Sequence, residues 1–275
     1  MSSHTHKRRT TVADIRARKG GDPLVCLTAY TASMAEILDP HVDLLLVGDS
    51  LGNVLLGHNA TIPVSLDDMI HHAKAVARAK PHSLLGVDLP FGSYEASPQQ
   101  AYETSVRVMK ETDADAVKLE GGLTMAPTIA FLTERGVPVI GHIGLRPQAV
   151  RTVGGYKVVG RTSQERKAVL EDAAAVADAG AFCVVVEGVV EPVAAEITSA
   201  IDIPTIGIGA SAACDGQILV TEDLLGLFER SPRFVREFAN LRAVISDAVA
   251  AYADAVKERN FPSDTETYKA DPEQF

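Results

Sequence analysis

Four carboxylates stand at the ends of apolar runs: Asp49 after LLLVG, Asp88 after LLGV, Glu120 after AVKL and Glu187 after CVVV. One such acid either caps the next turn or awaits a ligand. Four of them make a purely structural origin a poor explanation. Ser50 directly follows Asp49, Lys118 lies two residues before Glu120, and His142 lies toward the end of VPVIGHIG. Acidic oxygens gathered in a low-dielectric place repel one another unless they retain protons or bind a cation. No cysteine accompanies these acids, and His142 is the sole imidazole among them. A hard, oxygen-preferring ion therefore suits them better than structural zinc, Mg²⁺ first and Mn²⁺ second. Lys118 shares a strand face with Glu120 by period-two alternation and could hold a substrate carboxylate.

The elements that must position these residues are short runs rich in Val, Ile and Leu. They are PLVCLTAY (23–30), LLLVGDS (44–50), LLGVDLPF (84–91), AVKLEGG (116–122), VPVIGHIG (137–144), FCVVVEG (182–188), IPTIGIGA (203–210) and GQILVTE (216–222). They are continuous rather than alternating, as parallel strands covered on both faces should be. Ala-rich, charged stretches with helical spacing lie between most of them. The clearest are SLDDMIHHAKAVARAK, SPQQAYETSVRVMKET and SQERKAVLEDAAAVADAG. Ser65 and Ser97 are natural caps for the first two, Pro98 suits a first helical position, and Gly180 stops the third.

Eight such strands alternating with helices predict one (β/α)8 barrel, with a doubly wound open sheet as the alternative. The interval between the last two runs has no room for a full helix. Residues 1–22 read as a polar, loose segment with a short helix and 23–233 as the barrel. A long helix at about 234–259 and a tail packing on the barrel complete the chain. In a parallel barrel every strand C-terminus opens on one face, so acids far apart in sequence would converge on one pocket. His142 fits that pocket, or a simple hydrogen-bonding role at its mouth.

With 46% hydrophobic and 23% charged residues among 275, the chain reads as an ordinary soluble globular protein. Its net charge of −10 argues against nucleic acid and anionic membranes as partners, since both demand a basic patch. Cys26, Cys183 and Cys214 are odd in number and form no CxxC pair, which suggests reduced thiols in the cytoplasm. The first 20 residues carry no signal-like apolar stretch, and no run is long enough to span a membrane.

Weaker motifs carry little. GIGASA (207–212) fits a loose GxGxxG/A pattern, but no βαβ unit follows it. It is either a phosphate site after the seventh strand or a glycine turn near the pocket. His71-His72 read as a solvated pair on a helix, and Asp67 and Asp68 suit that helix's dipole.

With these residues in view, the sequence resembles the ketopantoate hydroxymethyltransferase family. The likeness runs from LTAY at 27 to QILV at 220, with a weaker echo in FPSDTETY. Its most specific stretches are VGDSLG (47–52), VDLPF (87–91), VKLEGG (117–122), GHIGLRPQ (141–148), GGYKVVGRT (154–162) and IPTIGIGA with DGQILV. The resemblance implies a barrel of the phosphoenolpyruvate/pyruvate type and one Mg²⁺ per subunit, held by Asp49, Asp88 and Glu120, partly through water. It implies that Asp49, Ser50, Asp88 and Lys118 hold the oxo acid and that Glu187 is the general base. 5,10-Methylenetetrahydrofolate would be the co-substrate, and the assembly a decamer built as a pentamer of dimers. Four departures stand out: Thr31 where the family has Asp, Asn59 in GHN, Ser211 in GIGAS and Glu266 in the tail. None falls on a metal or base position.

Two rivals remain at this point. One is a Mg²⁺-dependent carbon–carbon lyase or mutase acting on a 2-oxo acid. Such lyases resemble one another in a KKCGH-like loop after the fourth strand, where this chain has GGLTMAPT. The other is a barrel kept only for binding or assembly, which would have little need of Glu187.

Overall fold

All eight apolar runs form strands: β1 Leu24–Thr28, β2 Leu44–Val47, β3 Leu84–Asp88, β4 Ala116–Glu120, β5 Val139–Gly144, β6 Cys183–Glu187, β7 Thr205–Ile208 and β8 Gly216–Leu219. Each pairs in parallel with the next, and β8 returns to β1 through Leu24↔Gly216 and Cys26↔Ile218, so the sheet closes into a barrel. That closure excludes the open-sheet alternative. The computed structural model describes residues 8 to 269. They divide into two compact units, one ending at Thr221 and one beginning at Glu222.

Between the strands run helices that begin where capping chemistry allows. Ser65 and Asp68 exchange bonds in a capping box at Leu66–Arg78, and Ser97 caps Pro98–Thr112 with Pro98 at its start. Thr162 caps Ser163–Asp178, after which Gly180 turns the chain at φ +92°. Further helices at Ala32–Leu38, Ala126–Thr133 and Glu191–Ala200 complete the barrel's cover. β7 passes to β8 without a helix, as the short interval requires.

Period-two alternation sorts every strand. Leu45, Val47, Leu85, Val87, Val117, Leu119, Val184 and Val186 face outward and pack with helical residues such as Met69, Val76, Val108, Ile129, Val176 and Ile197. Leu24, Cys26, Leu44, Leu46, Leu84, Ala116, Ile140, Cys183, Val185, Ile206 and Ile218 face inward as a second cluster, joined by Ile15 from the short helix Val12–Arg16. Each large aliphatic buried this way contributes roughly 1.5–3 kcal/mol. The interior is therefore a packed floor rather than a pore.

Three expectations need correction. The N-terminal segment is not loose from residue 8 onward. Arg9 reaches Asp115 at 2.8 Å and Asp113 at 3.3 Å, and the Thr10 amide donates to the His82 carbonyl. Lys7, the first residue of the basic cluster, lies outside the described residues. His71 and His72 are not an equivalent solvated pair. His71 is exposed, whereas His72 is half-buried with Nδ1 2.9 Å from the Tyr30 carbonyl, tying the helix to the end of β1. The C-terminal helix spans Leu241–Lys257 rather than 234–259. The chain before it, after Pro232, is held in turns until Asn240 Oδ1 accepts the Ala243 amide and caps the helix. Among the described residues no helix is long and apolar enough to cross a membrane.

Candidate active site

The inward register that is apolar at the strand starts becomes ionisable at the strand ends. On β3 the series Leu84, Gly86 ends on Asp88. On β4 Ala116 leads to Lys118 and Glu120, on β5 Ile140 leads to His142, and on β6 Cys183 and Val185 lead to Glu187. Sheet register places Asp88 beside Lys118, Glu120 beside His142, and Gly144 beside Glu187. The turn after β2 adds Asp49 and Ser50. A Cβ on Gly48 would lie 2.8 Å from Ser50 Oγ and 3.5 Å from Asp88 Oδ2, so a larger residue there would press on the Ser50 side chain.

The resulting network is dense. Lys118 Nζ lies 2.8 Å from Asp88 Oδ1 in a pair whose side chains are 7% and 4% exposed. Asp88 Oδ2 accepts the Asp49 backbone N–H at 3.1 Å. Asp49 Oδ2 in turn accepts from the side-chain amide of Gln148 at 2.9 Å. His142 stands between two acids, with Nε2 3.1 Å from Glu187 Oε2 and Nδ1 3.5 Å from Glu120 Oε1. Neither ring nitrogen is well directed at its oxygen, so these are ionic contacts rather than formed hydrogen bonds. Ser50 Oγ is 2.8 Å from the Tyr30 hydroxyl. Ser50 also occupies the N-cap of the short helix Leu51–Val54 and makes no capping bond with its side chain. The Asp49 carboxylate is bonded to Gln148 instead of serving as a cap.

Charge balance sets the ionisation. Burial, then the charges of Asp88 and Glu120, push the Asp49 carboxyl up to about 7, against the opposing pull of Lys118 and the Gln148 bond. Burial alone would favour neutral Lys118, but Asp88, Asp49 and Glu120 outweigh it and keep the ammonium charged. His142 behaves likewise. Burial and Lys118 disfavour its proton, yet its flanking carboxylates raise it to about 9.

Among the described residues no three His, Cys, Asp or Glu side chains are arranged to hold one ion directly. The acids of the expected metal site are instead engaged with Lys118 and Gln148. What remains is an all-oxygen set with excess negative charge, and a buried Glu120 Oε1 that accepts no hydrogen bond. That donor set fits a hard cation reached by few carboxylates and completed by water and substrate.

The family model for ketopantoate hydroxymethyltransferase matches residues 9–264. The chain belongs to that family. The 3-methyl-2-oxobutanoate hydroxymethyltransferase of Phenylobacterium zucineum (strain HLK1) is 58% identical over 272 residues, covering 98% of this chain and 99% of the relative. The enzyme of the same name from Maricaulis maris (strain MCS10) is 57% identical, covering 97% of this chain and 95% of the relative. As a member of the ketopantoate hydroxymethyltransferase family, the chain is an enzyme of the hydroxymethyl-transferring class. Its barrel resembles 2,3-dimethylmalate lyase, described as a PEP mutase/isocitrate lyase superfamily member, with a TM-score of 0.58, 16% identity, and coverage of 96% of this chain and 93% of the other. A phosphoenolpyruvate phosphomutase from Streptomyces platensis subsp. rosaceus aligns with a TM-score of 0.60 at 12% identity, covering 90% and 88%. Those two share the fold alone with this chain.

The departures from the family's residues have local explanations. Thr31 caps the Ala32–Leu38 helix by accepting the Met34 amide, Asn59 is exposed, and Ser211 is buried with Oγ donating to Glu191 at 2.9 Å. Glu266 accepts the Ser263 amide at 2.9 Å. In the GIGASA segment, Gly209 turns the chain at φ +58°, and a stretch of bends and turns over 210–215 leads on to β8. Two residues escaped the sequence reading. Gln148 and Tyr94 are both buried and bonded to each other at 2.6 Å in the heart of the acid cluster. Gln148 lay within the quoted GHIGLRPQ, but no residue type or spacing marks an amide as a partner of an acid 99 positions away.

Proposed function

We propose that this chain transfers a hydroxymethyl group from 5,10-methylenetetrahydrofolate to 3-methyl-2-oxobutanoate, giving 2-dehydropantoate and tetrahydrofolate on the route to pantothenate and coenzyme A. The observation that carries this reading is the convergence of Asp49, Asp88, Lys118, Glu120, His142 and Glu187 at one end of the barrel, in a chain of this family. A hard divalent ion, Mg²⁺ first, held by Asp49, Asp88 and Glu120 partly through water, would supply Lewis-acid stabilisation to the keto oxygen of the oxo acid.

Lys118, kept charged by its carboxylate neighbours, faces the same oxygens and adds positive charge where negative charge develops. Ser50 orients the carboxylate end of the oxo acid. Glu187 is the least buried acid of the set, with a side chain 17% exposed, so it can meet the substrate. It takes the C3 proton, and the freed electron pair forms the new carbon–carbon bond to the one-carbon unit. Both carbon–nitrogen bonds of the folate methylene break, water supplies the hydroxyl, and the C3 proton and the remaining water proton go to the two nitrogens of the departing tetrahydrofolate. Such positioned base catalysis contributes roughly 10²- to 10⁴-fold. His142, in ionic contact with Glu187, keeps positive charge beside that carboxylate.

The co-substrate's glutamate carboxylates find cations at the rim. Residues 144–161 carry Arg146, Arg151, Lys157 and Arg161 and no acid, within a chain of net charge −10. Arg146 and Lys157 line a cleft of about 190 Å³ with Leu145, Val153 and Val159, and the helix Ser163–Asp178 adds two acids to its wall, Glu165 and Asp172. In the second unit, the helix Leu241–Lys257 leaves Val244, Ile245, Val249, Tyr252 and Val256 exposed, which supports burial against further copies in a homo-oligomer, a decamer by family expectation. Three buried free thiols are in keeping with a reducing cytoplasm.

The test incubates protein, Mg²⁺, oxo acid and methylenetetrahydrofolate and follows 2-dehydropantoate by NMR. Product that requires the folate supports the reading. Folate-independent turnover of a 2-oxo acid, or no product from folded protein, overturns it.

A further inference from the structure

We propose that Gln148 is the positioning residue of this site, holding Asp49 and Glu120 in the geometry that receives the ion and the oxo acid, with Tyr94 setting the direction of its amide. The inference rests on the reading above. Gln148 lies in the single turn Pro147–Ala149 that follows β5, yet its bonds go to the ends of β2, β3 and β4 and to Tyr94 in the loop after β3. Its Nε2 donates to Asp49 Oδ2 at 2.9 Å and to the Leu89 carbonyl at 3.0 Å. The Leu89 carbonyl can only accept, so the amide orientation is forced. Its Oε1 must then accept, and the Tyr94 hydroxyl donates to it at 2.6 Å. The same hydroxyl accepts the Glu120 backbone N–H at 3.2 Å. The Gln148 backbone N–H donates to Glu120 Oε2 at 3.1 Å.

Two consequences follow from the chemistry. An amide steadies a carboxylate without cancelling its charge, whereas Lys118 neutralises Asp88. Gln148 therefore fixes Asp49 and Glu120 while leaving their negative charge available. Its backbone bond also occupies one oxygen of Glu120, so that Oε1, buried, without a hydrogen bond and met only by His142 Nδ1 at 3.5 Å, is the oxygen left for a ligand. Every polar group of the Gln148 side chain is satisfied, and a network of that kind loses several bonds when one member is removed.

The experiment compares wild type, Gln148→Met and Tyr94→Phe. Mn²⁺ binding is titrated by EPR on protein without substrate, with competition by Mg²⁺. Thermal melting, KM for the oxo acid, kcat at saturating Mg²⁺ and C3 proton exchange in D₂O are read alongside. Removal of a residue that orients metal ligands costs on the order of 10–100-fold in affinity, which is the rise expected in the Mn²⁺ Kd of Gln148→Met. Tyr94→Phe should shift in the same direction by less. KM for the oxo acid should rise with the metal Kd, while kcat at saturating ion stays within a few-fold. A merely structural role would lower the melting temperature and leave the Kd of the folded fraction unchanged. That result in both variants overturns the proposal, and Tyr94→Phe, which removes one hydroxyl, keeps the test open if Gln148→Met fails to fold. Wild type that neither binds Mn²⁺ nor exchanges the C3 proton would remove the underlying reading, and the proposal with it.

Discussion

The two ends of the barrel interior share one inward-facing register and have opposite chemistry. At the strand starts Leu24, Leu44, Leu84, Ala116, Ile140 and Cys183 close the barrel with side chains that need no partner. Two or four residues further along the same faces stand Asp88, Lys118, Glu120, His142 and Glu187, each of which needs one. Substitutions at the first end should therefore be read in stability and those at the second in chemistry, unless they strand a buried charge.

The largest effect expected is at Glu187. Glu187→Gln keeps the shape and loses the base, so C3 proton exchange in D₂O should fall on the order of 10³-fold, with melting temperature and metal binding nearly unchanged. Near-normal exchange in that variant would take Glu187 out of the base role. Asp88 breaks the simple division, because it serves both ends of the argument. Asp88→Ala leaves the Lys118 ammonium buried and unpaired and should cost about 3–5 kcal/mol in urea unfolding. It should also raise the Mg²⁺ requirement sharply. Adding Lys118→Met should recover much of the stability and none of the activity. If the double variant unfolds as readily as Asp88→Ala, the pair at 2.8 Å is not what holds this end together. Leu44→Ala, at the opposite end, should cost about 2–5 kcal/mol of stability while kcat and KM per folded molecule stay as in wild type. A changed kcat there would show that the floor shapes the site.

These contrasts mirror what could be read in advance. The eight strands were legible because parallel strands buried on both faces must be continuously apolar, and the acids because each interrupts such a run at the same place. Ser65 and Ser97 were legible as caps because capping is local chemistry. Partnerships across the fold were not. Nothing near Arg9 announces Asp113 and Asp115, and nothing near His72 announces the Tyr30 carbonyl. Gln148 is the costliest omission, since a neutral amide carries no charge pattern and its partners come from three different strand ends. The start of the C-terminal helix was misplaced because the helix-compatible residues before Asn240 are held in turns instead.

A pH titration sharpens the comparison further, because only the ionisable end responds to it. Burial, with the charges of Asp88 and Glu120, raises the Asp49 carboxyl to about 7, against roughly 4 in an unfolded chain. Between those values folded protein holds a proton that the unfolded chain has released, so stability falls as pH rises. Without metal the contribution should be complete below about pH 4, decline with a slope of at most about 1.4 kcal/mol per unit, and be gone above about 7. Asp49→Asn should flatten that slope in urea unfolding, and Mg²⁺, which favours the ionised acid, should reduce it in wild type. A metal-free slope of the opposite sign, unchanged in Asp49→Asn, would refute the assignment.

The smallest effect expected is at the rim above the ionisable end. Arg146 and Lys157 line the cleft beside residues that lead from β5, and no hydrogen bond or ion pair engages either ammonium or guanidinium group among the described residues. Exposed charge pairs are worth about 0.2–1 kcal/mol each. Arg146→Ala and Lys157→Ala should therefore raise KM for the folate by roughly two- to fivefold apiece, since one exposed pair lies within that range. KM for the oxo acid and the rate of C3 exchange, which involve only the pocket below, should not move. The effect should shrink with added salt, because charges in water are screened over about 10 Å at 0.1 M. It should vanish for a methylene-tetrahydropterin that lacks the glutamate. Equal losses with that truncated co-substrate would place the two cations in the pocket's own architecture, and the rim would then belong with the acids below it rather than with the folate's tail.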